Sequence, residues 1–364
     1  MKKILMINAV PTERNGITGV IFNIIRSINA DGLTIDLLSL NEPDRVYYEY
    51  IERCHGRIFV TPSRRGRIFG YLGYAARLIK REGYDIVHIH GNSHGLMLEL
   101  LAAIIAGCRV RIIHAHSTGG NIMTLHKLLS PLFSLMYTDG FACGVDAGRF
   151  MFGRKSFTVF NNAIDSECFR FDKDARDSVR SSLGIGEGTV LIGHVGGFME
   201  PKNQSFLIDV FNELVRTDGE KYRLLLVGDG PLYNEVREKA AALGLDNKAI
   251  FAGAVDNVTE LLSAMDVIVM PSRFEGLPLT LIEEQAAGLK CIVSDAVTRE
   301  ADKTGLISFI PLSMGPAGWA DTVRRTELPR NRAETSEGCI KAIREAGYDI
   351  TEQTEKLARF YLER

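Results

Sequence analysis

The chain has 364 residues, with 43 Lys and Arg against 45 Asp and Glu, a formal net charge of −2, 46% hydrophobic and 24% charged residues. That length predicts two domains, the composition excludes long disorder or low complexity, and the charge balance excludes a chain that binds nucleic acid along its whole length. The balance is uneven, however: residues 1–165 carry 19 basic and 13 acidic side chains, the rest 24 and 32. A basic first half suits an anionic partner, either a phosphate-bearing substrate or a membrane surface; chance scatter would look the same.

Lys2-Lys3 followed by Ile4-Leu5-Met6-Ile7 resembles the start of a secretion signal, but the apolar run is short and Pro11, Glu13 and Arg14 follow it, so it reads as a first strand. Short apolar runs then alternate with amphipathic helical windows, the mark of βαβ units. In the first half, strands are predicted at 4–9, 35–40, 57–60, 85–90, 109–116, 140–143 and 157–160, and helices at 17–29, 67–82, 94–106, 122–137 and 146–152. Residues 165–187 break the pattern with crowded charge and read as a linker. A second series follows, with strands at 190–194, 223–227, 250–252, 267–270, 291–294 and 308–310. Its helices fall at 204–216, 231–243, 257–264, 278–287, 317–325, about 330–346 and 352–363. The longest apolar stretch, Leu96 to Ala106, contains Glu99 and is too short for a bilayer span, which needs about 20 residues. Six cysteines, at 54, 108, 143, 168, 291 and 339, form no C-x-x-C pair, so reduced, partly buried thiols and a cytoplasmic location are expected.

The pattern predicts an α/β protein of two doubly wound, Rossmann-like parallel-sheet domains facing a central cleft. The first occupies residues 1–165, a linker 166–188 and the second 189–346, with a final helix in 347–364. Such sheets bind ligands beyond the C-terminal ends of their strands.

The densest chemistry lies at the end of the 267–270 strand, in Pro271-Ser272-Arg273-Phe274-Glu275-Gly276-Leu277-Pro278-Leu279-Thr280-Leu281-Ile282-Glu283. Gly276 permits an unusual turn, and Pro278 suits a first helical turn. The helix start presents free N–H groups to an anion. One carboxylate, Glu275, can face a ligand at the helix mouth; the other, Glu283, can accept two hydrogen bonds from a vicinal diol such as a ribose. An isolated Glu here would merely stabilise the dipole; two carboxylates separated by seven residues within a strand–Gly–Pro–helix junction are more specific.

This segment, with its continuation Glu284-Gln285-Ala286-Ala287-Gly288-Leu289 and Ser294-Asp295, resembles family 4 of the retaining glycosyltransferases, which have the GT-B fold, and is especially similar to members from bacterial capsule and exopolysaccharide synthesis. The resemblance implies that Glu275 contacts the donor sugar and Glu283 the ribose, with the backbone at Gly276, Leu277 and Pro278 approaching the sugar and diphosphate. Residues 193–203, Gly-His-Val-Gly-Gly-Phe-Met-Glu-Pro-Lys-Asn, resemble the family's phosphate-binding strand–loop, so Lys202 would face the leaving diphosphate. The family usually has Arg where Gly197 stands; a second cation would then come from Arg273 or Arg14. Residues 226–231 and 253–258 resemble loops near the nucleotide, with Val255 the candidate at the base. In the first half, Asn15-Gly16-Ile17-Thr18-Gly19 suits close approach to a phosphate, and the resemblance places Gly16 and Gly19 at the donor diphosphate. Arg111-Ile112-Ile113-His114-Ala115-His116-Ser117 resembles the acceptor-domain strand that delivers a histidine, and His116, nearer the strand end, is the candidate. Residues 160–165 resemble the hinge, with Ala163 at its usual Gly, and Gly347-Tyr348-Asp349-Ile350 with the final helix resembles the family's tail, which implies that this helix packs back on the first domain.

Other readings compete. Gly91-Asn92-Ser93-His94-Gly95 has the G-x-S-x-G form of a hydrolase elbow, but no His follows His194 to complete a triad. Asp172-Lys173-Asp174 imitates a D-x-D metal site but falls in the charged segment. No P-loop or full G-x-G-x-x-G is in place, which weakens kinase and dehydrogenase readings. A nucleotide-sugar epimerase of the same fold and a binding protein that has lost transfer also remain. Residues 64–81 place Arg64, Arg65, Arg67, Lys80 and Arg81 around an apolar helix face, which fits an anionic membrane surface or a core helix with cationic ends.

The expectation is a retaining, metal-independent hexosyltransferase without cofactor. It would move sugar from a nucleotide-diphosphate donor, UDP before GDP, to a saccharide acceptor, lipid-linked, in surface-polysaccharide assembly. It would work in the cytoplasm or at the inner membrane face, with no nucleic acid partner. Its catalytic candidates are Glu275, Lys202 and His116.

Overall fold

The computed structural model describes all residues except 14, 63–67 and 118–122, together with all side chains outside these and 123–129. The chain falls into two units, Met1–Asp165 with Gly347–Arg364, and Ser166–Ala346.

The first unit is built on seven strands: β1 (Lys2–Asn8), β2 (Leu33–Ser39), β3 (Ile58–Val60), β4 (Ile86–Gly91), β5 (Val110–Ala115), β6 (Asp139–Ala142) and β7 (Thr158–Val159). Their order is β3-β2-β1-β4-β5-β6-β7, and every pair is parallel. Ile4, Leu5, Met6 and Ile7 of β1 are all fully buried, as expected of a central strand covered by helices on both faces. The connecting helices are α1 (Gly16–Ser27), α2 (Arg45–Glu52), α3 (Ile68–Glu82), α4 (Met97–Ile105), α5 (Met123–Met136) and α6 (Val145–Phe152). In α1, Ile17, Val20, Ile21, Ile24 and Ile25 make one buried stripe at helical spacing, and Asn15 caps the first turn by accepting from the Thr18 N–H at 3.0 Å.

The second unit repeats the plan with six parallel strands, β8 (Val190–Val195), β9 (Tyr222–Val227), β10 (Ala249–Gly253), β11 (Val267–Met270), β12 (Lys290–Ser294) and β13 (Ile307–Ile310), in the order β10-β9-β8-β11-β12-β13. Its helices are α7 (Lys173–Ser182), α8 (Gln204–Asp218), α9 (Tyr233–Ala242), α10 (Val258–Ala264), α11 (Leu279–Ala286), α12 (Gly315–Arg325) and α13 (Arg332–Glu345). Fully buried Trp319 of α12 meets Phe206 of α8 edge to face, 5.7 Å between centroids.

Two helices depart from the sequence reading. The α2 helix carries only Tyr47 and Ile51 inward, too thin an apolar stripe to see in sequence, and it is anchored by Tyr47 against Phe22 at 4.3 Å. The expected linker, 166–188, is instead part of the second unit. Asp172 caps α7 by accepting from the N–H groups of Asp174 and Ala175. Arg176 and Arg180 of this helix then bind the Asp266 carboxylate at 2.5 and 3.0 Å. Guanidinium contacts do here what apolar packing does elsewhere, and Asp172-Lys173-Asp174 is a helix start.

The last helix, α14 (Ile350–Glu363), belongs to the first unit. Ile164 and Asp349 form a parallel bridge, Thr354 Oγ1 donates to Ser27 O at 3.2 Å, and the Tyr361 hydroxyl meets His88 Nδ1 at 2.6 Å.

Candidate functional site

In each sheet the strand order reverses beside the first strand, between β1 and β4 and between β8 and β11. A doubly wound sheet binds ligands at such a point, outside the carboxyl ends of its strands. In the second unit the two loops leaving this point are 196–203, after β8, and 271–278, after β11. They are the two segments with the densest motif chemistry.

The loops are bonded to each other. The Arg273 N–H donates to Pro201 O at 2.7 Å. Asn203, held in a left-handed turn at φ 58°, donates its side-chain N–H to Pro271 O at 3.1 Å. Gln204 closes the first loop with a 2.8 Å bond to Gly197 O. Lys202 Nζ lies 2.7 Å from Glu275 Oε1, both side chains largely sheltered, and Ser272 Oγ donates to the same carboxylate at 3.1 Å. Sequence reasoning chose Lys202 and Glu275 separately. Their pairing, and the positioning by Ser272 and Asn203, follow from strand order and are invisible in a motif.

Beyond this pair the chain enters α11. Pro278 is its N-cap rather than its first helical residue, and no side chain caps the turn. The first N–H groups are thus oriented for an anion, which a helix of this length favours through its dipole. Gly276 is exposed and opens on empty space, and Leu277 is partly buried. Glu283 lies in the second turn, its carboxylate without a hydrogen bond to any described residue, and burial pushes its pKa up to about 7. Glu284 beside it is buried, with neither oxygen partnered. Burial first, and Glu283 second, hold its pKa well above the usual carboxylate range. The sequence reading attached no role to it.

The β8 and β9 loops approach closely because of glycine. A side chain at Gly228 (φ 135°) would meet Gly196 O at 2.1 Å, and one at Gly230 (φ 156°) would meet Phe198 O at 2.6 Å. Gly197 is different: a Cβ there would find only ordinary contacts, at 3.6 Å to Asp229 O and Met199 Sδ. His194 Nδ1 meets Val269 O at 2.9 Å, with its pKa lowered to about 4 by burial. Val255 lies half-buried in the loop between β10 and α10.

In the first unit, Gly16 and Gly19 at the start of α1 both face open space. Arg14 lies outside the described residues. His116 follows β5 and is the end of a ladder of imidazoles. Its Nδ1 meets Asn162 Oδ1 at 3.3 Å and its Nε2 meets His90 Nδ1 at 3.0 Å. With Asn162 accepting, His116 carries its proton on Nδ1, its Nε2 accepts, and His90 Nδ1 donates. Burial lowers the His116 pKa to about 4, so the ring is neutral. Both of its nitrogens are therefore engaged within the protein. His88, His90 and His114 have ring nitrogens within 4.8 Å of one another. A metal must lie in the plane of each ligating ring, yet His88 lies over His90 at 4.3 Å and 28°. The ring planes of His88 and His90, and of His88 and His114 at 5.4 Å and 7°, are too nearly parallel to meet at one ion, and the trio stacks on the sheet face.

Ser93 Oγ accepts from the Gly95 N–H as the cap of a 3-10 turn, and His94 Nε2 meets Met151 O. That geometry is a turn, and among the described residues no base is bonded to Ser93 Oγ.

Two family models match the chain. One, described as Glycosyltransferase Family 4, matches residues 14–141; the other, described as Glycosyl transferases group 1, matches residues 189–326. EpsF of Bacillus subtilis (strain 168), named as a glycosyltransferase, is 33% identical, covering 96% of this chain and 94% of its own. The UDP-Gal:alpha-D-GlcNAc-diphosphoundecaprenol alpha-1,3-galactosyltransferase of Escherichia coli is 27% identical over 60% of each chain. Among solved structures, HepE of Anabaena in complex with UDP and glucose has a TM-score of 0.77 over 99% of each chain, at 16% identity, a likeness of fold.

Proposed function

The chain belongs to the family 4 glycosyltransferases, and on that premise we propose that it transfers a hexose, with retention and without a metal, from a UDP-sugar to a lipid-linked saccharide in surface-polysaccharide assembly. The observation that carries this reading is the Lys202–Glu275 pair at the mouth of α11, with Glu283 one turn further in.

In this reading the N–H groups of Gly276, Leu277 and Leu279 and the ammonium of Lys202 stabilise the departing diphosphate. Lys202 has three donors, so it can hold Glu275 and a phosphate oxygen together. Glu275, fixed by Lys202 and Ser272, orients the donor sugar and stabilises positive charge near it. Glu283 accepts from the ribose hydroxyls, and Val255 lies against the base. Gly16 and Gly19 leave open space at the start of α1, which suits close approach of a phosphate. The departing phosphate takes the acceptor proton on the same face. His116 serves the acceptor side as a neutral imidazole; a sugar hydroxyl that replaced the longer of its two bonds, that to Asn162, would engage Nδ1. The E. coli relative named above acts on a diphosphoundecaprenol acceptor, which supports the lipid-linked class.

Calorimetry against UDP-, GDP- and dTDP-sugars tests the donor class. The anomeric configuration of the product by NMR tests retention, and turnover in EDTA tests metal independence. Binding of none of these sugars overturns the reading.

Attachment to an anionic membrane through residues 64–81 belongs to the same proposal. Residues 64–67 lie outside the described residues, but α3 exposes Phe69 at 87% and carries exposed Arg77, Lys80 and Arg81. No helix among the described residues is long and apolar enough to cross a membrane. Co-sedimentation with anionic vesicles that persists after Arg64, Arg65 and Arg67 are replaced by Ala would exclude this surface.

A further inference from the structure

The loops 196–203 and 271–278 each contain one cation and one anion, and the structure cross-pairs them. Lys202 of the first loop binds Glu275 of the second, and Arg273 of the second binds Glu200 of the first. The two pairs leave this part of the site with no net charge, although the ligand it would receive is a diphosphate bearing at least two negative charges.

The pairs are unequal. Lys202 and Glu275 are 18% and 15% exposed, whereas Arg273 and Glu200 are 57% and 72% exposed. An ion pair so open to water is held weakly and exchanges at little cost. A guanidinium prefers a partner that fills its fork, and a phosphate does so with a higher charge than a carboxylate. The backbone of Arg273 is fixed by its N–H bond to Pro201 O, next to Lys202 in the chain. Its position is thus settled beside the phosphate-facing lysine while its head group stays exchangeable. Gly197, with room for a side chain, contributes no charge of its own.

We propose that Arg273 is a second diphosphate-binding cation of the donor site, held by Glu200 until the ligand's phosphate takes Glu200's place. The inference rests on the donor-site reading above. On binding, the guanidinium gives up its hydrogen bond to the Glu200 carboxylate and donates to phosphate oxygens, and the freed Glu200 turns to solvent.

Two substitutions separate this from a structural role. Calorimetry of the full chain with UDP, and with GDP and dTDP in parallel, should show binding weakened about tenfold in Arg273→Ala, with a shallower dependence on salt. Glu200→Gln should instead tighten binding about threefold, because it removes a competing anion; a pair needed only for loop structure would give weaker binding in both. Thermal unfolding of each variant within a few degrees of the parent shows that both are folded. Arg273→Ala binding UDP as the parent does, or Glu200→Gln weakening it, overturns the proposal and leaves the donor site standing. A parent chain that binds none of the three nucleotides overturns the donor-site reading and this inference with it.

Discussion

Lys202 Nζ and Glu275 Oε1 are 2.7 Å apart although their residues lie on loops from different strands, and Ser272 Oγ completes the arrangement with a 3.1 Å bond to the same oxygen. The contact exists because β8 and β11 are neighbours at the point where the sheet order reverses. On the proposed roles, breaking such a sheltered pair harms twice: the lost group would no longer meet substrate, and its partner is left uncompensated. Lys202→Ala and Glu275→Ala are each expected to lower sugar transfer at least about a hundredfold, the scale of losing one electrostatic stabiliser. Ser272→Ala, which loosens Glu275 without removing it, is expected to cost much less. Steady-state turnover with a synthetic lipid-linked acceptor measures all three, and near-normal rates in either alanine variant of the pair would exclude the roles given to it.

Asp266 governs stability rather than chemistry. Its carboxylate binds Arg176 and Arg180 and accepts the Leu191 N–H at 2.7 Å, at about one-tenth exposure. Asp266→Ala strands two partly buried guanidinium groups and is expected to cost about 3 kcal/mol, lowering the melting temperature of the second unit by roughly 10 °C. Circular dichroism during heating reads this directly. An unchanged transition would mean that the bonds from Arg176 and Arg180 to the carbonyls of Ser263, Ala264, Met265, Gly186 and Thr189 suffice to hold α7.

That clamp also shows where sequence stops being legible. The two parallel sheets could be read because each strand is a continuous apolar run between amphipathic windows, and Val267–Met270 and Ile4–Ile7 are buried at every position. The α7 helix could not, since its partner for Arg176 and Arg180 lies about 90 residues away. The same holds at the site. Glu275 and Glu283 share one helix junction, so their spacing carries information. That Lys202 pairs with Glu275, that Arg273 pairs with Glu200, and that both nitrogens of His116 are engaged depend on which strands become neighbours. Glu284 was missed for a different reason: beside Glu283 it reads as one more charged surface residue, and only the fold shows that it is buried with its pKa raised.

Acid should destabilise the protein before most carboxylates titrate. Burial lowers the pKa of His88, His90 and His114 well below 6.5 and that of His116 and His194 to about 4. The unfolded chain takes up these protons near pH 6.5 and the folded chain does not. Their contribution is complete above pH 6.5 and is lost as the pH falls toward 4, worth about 3 kcal/mol for His194 alone. Glu283 and Glu284, with raised values, work in the opposite sense over part of this range, but they are two against five. The melting temperature is therefore expected to fall between pH 7 and pH 5, and less steeply in His194→Asn. A flat profile would mean that the imidazoles are solvated.

Donor binding should carry its own pH signature, set by Glu283. Its pKa stands at about 7 because burial opposes the charged form and no described residue bonds to it. Two ribose hydroxyls donating to the carboxylate would stabilise the anion, so binding lowers this pKa and expels a proton. Linkage then requires UDP to bind more weakly as the pH falls from 8 to 6, because a larger fraction of free protein must first ionise Glu283. Calorimetry with UDP-glucose, whose diphosphate has no ionisation near neutrality, in buffers of different ionisation enthalpy should detect about half a proton released per ligand at pH 7, rising toward one near pH 6. Glu283→Gln should bind several-fold more weakly at pH 8, with little change between pH 8 and 6. Proton release that survives in Glu283→Gln would move the titrating group elsewhere, with Glu284, the buried carboxyl group beside it, the next to test by Glu284→Gln.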